Sequence, residues 1–255
     1  MEKLNVTAVS YLNTKPLLYG LLNSPIANDI RLELNIPSVC AQKLRDGEAD
    51  LALVPVAIIP EIDHPRIVSD YCIGTVGAVK TVCLYSDCPI EEAKAVYLDH
   101  HSRTSVALTK LLLRDYWKTN PKLVPAQEGY IKRIGGRVAG LVIGDRTIGL
   151  EQQFRYTYDL GEAWMAHTGL PFVFAAWVSN RPIPSRFQNA FNEAMRQGVA
   201  QIPQLMYLLP SPDPAFDLEA YFTRHISYEL DAAKRKAMQL FLEKIERLKV
   251  EKLNG

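Results

Sequence analysis

The chain has 255 residues, 48% of them hydrophobic and 22% charged, and its 29 basic against 28 acidic side chains leave a formal net charge of +1. These values lie inside the globular range and exclude a disordered or collagen-like chain. With no basic excess and no run of like charges, a general nucleic-acid binder is excluded as well, and any anionic ligand has to be held by local groups.

Apolar or β-branched runs bounded by turn residues predict strands over Leu4 to Val9, Leu32 to Ile36, Ala49 to Val54, Val79 to Tyr85, Ala95 to Leu98 and Val138 to Ile143. Among the helical patterns between them the clearest is Ser102 to Trp117, where Val106, Ala107, Leu108, Leu111 and Leu112 share one face behind a polar first turn. This alternation predicts an α/β fold of largely parallel sheets flanked by helices, with strand ends opening onto a crevice. Gly169 to Val178 is an extended apolar run without helical period, and Ile73 to Tyr85 resembles it. Two such crossings divide the chain into one lobe of residues 1–79 and 173–255 and a second of residues 80–172, with a ligand cleft between them. Phe187, Ala190, Phe191, Ala194 and Met195, then Met238, Phe241, Ile245 and Leu248, mark closing amphipathic helices.

Cys40, Cys72, Cys83 and Cys88 form no C-x-x-C pair and have no histidine at zinc-ligand spacing, so they read as buried free thiols and no metal site is expected. The opening residues enter a strand pattern at once and no apolar run approaches the ~20 residues that span a bilayer. A cytoplasmic location without membrane contact is the expectation.

Three strand ends carry candidate chemistry. After the first strand, Ser10, Tyr11, Asn13 and Thr14 offer neutral hydrogen-bonding groups ahead of Pro16, either as ligand contacts or as a capping turn. At Ser102, Arg103, Thr104 and Ser105 a predicted helix start combines free backbone N–H groups, hydroxyls and a cation, the elements of a carboxylate or phosphate site; otherwise Ser102 is only an N-cap. The adjacent His100 and His101 cannot both face a cleft, and either is a possible proton carrier or a structural histidine. Gly144 and Asp145 follow the strand ending at Ile143. There Asp145 either orients a substrate hydroxyl, carries a proton, or pairs with Arg146 in a turn. The run Gly135 to Gly140 precedes a strand and fails the dinucleotide spacing. Walker, nucleophile-elbow and zinc-helix motifs are missing too, so redox-cofactor, nucleotide-hydrolysis and esterase readings lack their required parts.

Val9-Ser10-Tyr11-Leu12-Asn13-Thr14-Lys15-Pro16-Leu17, Ser102-Arg103-Thr104-Ser105, and Tyr158-Asp159-Leu160-Gly161-Glu162-Ala163-Trp164 together resemble the chorismate dehydratase family of the futalosine route to menaquinone. The likeness continues through Thr168 to Trp177, Asp50 to Pro55 and Ile143 to Asp145, covering most of the chain. It implies a two-lobed fold like the type II periplasmic solute-binding proteins, no cofactor, and conversion of the small molecule chorismate to 3-[(1-carboxyvinyl)oxy]benzoate. In that reading Asn13 orients the substrate and its leaving hydroxyl, while the 102–105 turn holds a carboxylate. Either Asp145 or the substrate's own enolpyruvyl carboxylate removes the ring proton. A non-catalytic binding protein for a small carboxylate, the related dihydroxynaphthoate synthase and a ligand-responsive regulatory domain are the competing readings.

Overall fold

The structure is a computed structural model that describes residues 3–253. The chain runs through β1 (Leu4–Val9), α1 (Lys15–Leu22), β2 (Ile30–Asn35), α2 (Pro37–Arg45), β3 (Leu51–Pro55) and β4 (Arg66–Thr75). It continues through β5 (Val82–Ser86), β6 (Ala95–Leu98), α3 (Arg103–Asp115), β7 (Lys122–Pro125), β8 (Val138–Ile143), β9 (Tyr156–Asp159) and α4 (Leu160–Thr168). It closes with β10 (Phe172–Ser179), α5 (Ser185–Ala200), α6 (Ile202–Leu208), the short α7 (Leu218–Ala220), β11 (Ser227–Glu229) and α8 (Ala232–Leu253).

Two sheets result, ordered β11-β4-β10-β3-β1-β2 and β7-β6-β8-β5-β9. The α/β class expected from the alternation holds, but the sheets are mixed, not largely parallel. β1 lies parallel to β2 and β3, and β6 parallel to β7 and β8, whereas β10 is antiparallel to β3 and β4 and β5 is antiparallel to β8 and β9. β11 is antiparallel to β4 as well. Antiparallel pairing places no crossover requirement on the connection, so strands entering from the other sheet can run against their neighbours.

All eight residues of β10 and all five of β3 are buried. These strands sit inside the first sheet and are covered on both faces, which explains their unbroken apolar sequence. The second crossing is not one continuous strand. The N–H groups of Val79 and Lys80 donate to the Asp159 carboxylate at 3.1 and 2.6 Å, and Lys80 has φ +68, so the backbone turns before β5 can begin at Val82.

Two packing features fix the frame around the cleft. Helix α1 lies directly on α5: a Cβ added to Gly20 would come within 1.9 Å of the Ala194 carbonyl oxygen, and one on Gly198 within 2.1 Å of the Pro16 carbonyl oxygen. Backbone-on-backbone contact at both places requires glycine. Helix α8 packs Phe241 edge-on to Phe172 and Trp164, with centroids 5.0 and 6.0 Å apart, and the Trp164 indole N–H donates to the Pro171 carbonyl at 3.0 Å. The terminal helix thereby ties the start of β10 to the helix that follows the second sheet. Among the described residues no helix is long and apolar enough to cross a membrane.

Candidate functional site

The loop after β1 and the loops after β6 and β8 meet between the two sheets. Their contact surrounds a cavity of about 40 Å³ whose lining includes Tyr11, Asn13, Thr81, Ser102, Ser105 and Gly144, with apolar walls from Val79, Ile143 and Phe174. Three strand-end motifs legible in the sequence therefore converge on one place.

The first loop is held from several directions. Thr14, fully buried, donates its hydroxyl to Asn13 Oδ1 at 3.1 Å, which leaves the Asn13 Nδ2 hydrogens as its donors to the cleft. The Tyr228 hydroxyl donates to the Asn13 carbonyl at 3.0 Å, and the Ser10 N–H donates to the Asn35 carbonyl at 3.0 Å. Ser10 itself is exposed and does not line the cavity. Leu12 donates its N–H to both oxygens of the Asp145 carboxylate, at 3.0 and 3.2 Å, joining the two sheets' loops. Burial raises the pKa of Asp145, an effect opposed by the Leu12 N–H and by Lys15.

Tyr11 lies over Gly144. That glycine has φ +67, and a Cβ on it would fall 2.8 Å from the Tyr11 ring. The Tyr11 hydroxyl is 2.5 Å from His101 Nδ1. Burial pushes the phenol up to about 12, so it keeps its proton throughout the neutral range.

At the start of α3, Ser102 is the N-cap: its hydroxyl accepts from the Ser105 N–H at 3.4 Å and from the Ser105 hydroxyl at 3.3 Å. The remaining N–H groups of this first turn have no intrahelical partner, and the helix dipole adds positive potential there. Thr104 is committed elsewhere, its hydroxyl accepting from the Ala57 N–H at 3.1 Å. Arg103 does not join the cleft: it ion-pairs with Glu61 at 2.6 Å and lines a separate outer groove of about 760 Å³ beside α8. A residue at N1 of a helix points to its flank, and Glu61 attracts this one outward.

Asp99, His100 and His101 bring ligand atoms within 4.8 Å of one another. The Asp99 carboxylate is fully buried and already accepts from the His101 N–H (3.0 Å), the Tyr130 hydroxyl (3.0 Å), the Ile143 N–H (3.3 Å) and Arg146 Nη2 (2.5 Å). These donors occupy the lone pairs that a cation would need, so the cluster is a hydrogen-bonded hub, not a metal-binding donor set. Asp99 also neutralises Arg146, and no charged side chain lines the cavity among the described residues.

Sequence reasoning missed Thr81, Tyr221 and Tyr228. The Thr81 and Tyr221 hydroxyls are 2.7 Å apart and both groups lie near Asn13. Tyr221 and Tyr228 lie far from the first loop in sequence, so only the folding of their segment under that loop brings them into play.

Comparison with known proteins places this geometry. A family model described as menaquinone biosynthesis matches residues 4–247. The chain belongs to this family. A chorismate dehydratase from Thermus thermophilus is 29% identical over 204 residues, covering 70% of this chain and 74% of that protein. A crystal structure of an Archaeoglobus fulgidus protein superposes with a TM-score of 0.74 at 15% identity, covering 97% of this chain and 98% of the other. A Candida albicans gene product described as having the generic periplasmic binding protein fold gives 0.66 at 10% identity, covering 98% and 91%. The chain thus has a two-sheet, periplasmic-binding-protein-like architecture.

Proposed function

We propose that this member of the family is a cytoplasmic chorismate dehydratase, a hydro-lyase that converts chorismate to 3-[(1-carboxyvinyl)oxy]benzoate. Its lobes are residues 1–79 with 173–255 and residues 80–172. The observation that carries the reading is the character of the cavity: neutral donors, apolar walls and, among the described residues, no carboxylate, imidazole or amine in the lining.

Such a lining suits a reaction whose driving force is aromatisation and whose base comes with the substrate. Loss of the ring proton beside the enol ether spreads negative charge through the diene into the ring carboxylate. The α3 N-terminus with Ser102 and Ser105 holds that carboxylate, and donors aimed at it stabilise the transition state more than the ground state. The enolpyruvyl carboxylate, held near the ring proton, removes it. Asn13 donates through Nδ2 to the departing hydroxyl, Tyr11 and Gly144 shape the face against which the ring lies, and Thr14, buried and outside the lining, acts only by orienting the Asn13 amide. Asp145 acts by fixing Leu12, since both its oxygens face that N–H. Dehydration here is chiefly a matter of orientation.

A cavity of about 40 Å³ has room for about three waters, far less than a ring bearing two acidic groups. Entry therefore requires the first loop to part from the loops after β6 and β8, and the contacts described are those of the closed arrangement.

Incubation of the purified protein with chorismate, followed by mass spectrometry and ultraviolet absorbance, tests the reading. Loss of one water with a new aromatic spectrum is expected. Tight binding without conversion would instead establish a carboxylate-binding protein.

A further inference from the structure

We propose that His101 is a positioning residue for the reaction: through the Tyr11 hydroxyl it sets the closed placement of the loop that carries Asn13. This rests on the dehydratase reading for its kinetic consequence and on geometry alone for the contact itself.

His101 does not line the cavity, so it touches no bound ring directly. Its backbone is fixed at both polar groups: the N–H donates to Asp99 Oδ1 at 3.0 Å, and the carbonyl accepts from the Ser38 N–H at 3.1 Å. Asp99 is anchored in turn by Tyr130, Ile143 and Arg146. The imidazole is thus presented from a rigid base in the second sheet's loops, and it meets a side chain of the first loop. Tyr11 and His101 lie with their ring planes only 5° apart and Nδ1 2.5 Å from the hydroxyl oxygen. The tyrosine retains its proton, so it donates and Nδ1 accepts, which assigns the Nε2–H tautomer to His101. Burial, with Arg146 and His100 nearby, lowers the His101 pKa and keeps the imidazole neutral, as an accepting Nδ1 requires.

The tyrosine ring has no other lateral freedom on one side, because it rests on the glycine at 144. A bond at its tip and a flat contact along its face define its position, and Asn13 is two residues further along the same short loop. Asp145 fixes the intervening Leu12 from the same side. Together with the Tyr228 hydroxyl on the Asn13 carbonyl, these attachments locate the loop, and the imidazole supplies the one at the tip of Tyr11.

Three single variants, one double variant and one spectrum test this. His101→Leu removes the acceptor, His101→Asn restores an acceptor near the Nδ1 position, and Tyr11→Phe removes the donor. We expect His101→Leu to lower kcat at least tenfold with KM altered less than threefold, His101→Asn to recover most of kcat, and the Leu/Phe double variant to lose no more than the worse single one. Wild-type kcat in His101→Leu, equal losses in the Leu and Asn variants, or additive losses in the double variant would overturn the proposal. Nitrogen-15 NMR of histidine-labelled protein reads the contact without any turnover: an unprotonated, hydrogen-bonded Nδ1 on His101, changed by Tyr11→Phe, is expected. A protonated Nδ1 in the neutral range would overturn the geometry. If the protein proves not to turn over chorismate, the dehydratase reading fails while this spectrum still decides the contact.

Discussion

Replacing Gly144 by alanine separates the chemistry of the cleft from the stability of the fold. The backbone there has φ +67, and an L-residue in that region costs about 1–2 kcal/mol. The added Cβ would stand 2.8 Å from Cε2 and Cζ of Tyr11, whereas comfortable carbon contact begins near ~3.5 Å, so the ring must move by about 0.7 Å. A displacement of that order in a group that orients substrate lowers turnover by about 10- to 100-fold. The stability cost, spread over a chain of 255 residues, lowers the melting temperature by about 2–8 °C. Gly136→Ala supplies the control: φ is +57 there, but a Cβ meets nothing within 4 Å. Both variants should melt lower than wild type in calorimetry, Gly144→Ala at least as much as Gly136→Ala, while only Gly144→Ala should lose kcat in the chorismate assay. Equal activity in the two variants would refute the claim that Tyr11 must rest on an unsubstituted position.

Asn13→Ala should lower kcat by about 100-fold with little change in melting temperature, because it deletes a donor at the leaving hydroxyl and leaves the Tyr228 contact to the backbone in place. Ser105→Ala should raise KM about tenfold, the loss of one hydrogen bond to a carboxylate, as read from initial rates. Asp145→Asn distinguishes a positioning carboxylate from a base and should keep most of the rate. Burial raises the folded-state pKa of Asp145, so this group contributes stability below the ordinary value of 3.8 and loses it as pH rises through the raised one. The asparagine variant should accordingly show a smaller fall in melting temperature than wild type on going from pH 4 to neutrality. Burial also holds the Cys40 thiol at about 11 and the Cys72 thiol at about 12 and raises that of Cys83, so iodoacetamide at pH 8 should leave all three unlabelled in the native protein by mass spectrometry.

Much of the site was legible because its parts are local. A strand end followed by a polar loop and a proline marked the loop that carries Tyr11 and Asn13 to the cavity, though its Ser10 and Thr14 do not line it, and a hydroxyl-rich helix start marked Ser102 and Ser105; both patterns lie within a few residues. What local sequence leaves open is direction. Arg103 reads as a cation beside an anion site, yet Glu61, distant in the chain, draws it outward. Asp145 reads equally as base, orienter or turn residue, and no local pattern shows that its carboxylate accepts from the Leu12 N–H of the first loop. His100 and His101 look equivalent, but only His101 meets Tyr11.

The near-balance of charge and the apolar alternation determined from the sequence alone that this is an α/β protein holding any anion by local donors, since burial periodicity and helix-terminus chemistry are properties of short segments. The tertiary structure decided that the sheets are mixed, that Arg146 is neutralised by Asp99, and that Thr81, Tyr221 and Tyr228 stand beside Asn13. These depend on which distant segments meet when the core closes, and the cleft's neutral lining is the product of charges cancelled by partners that no local pattern could name.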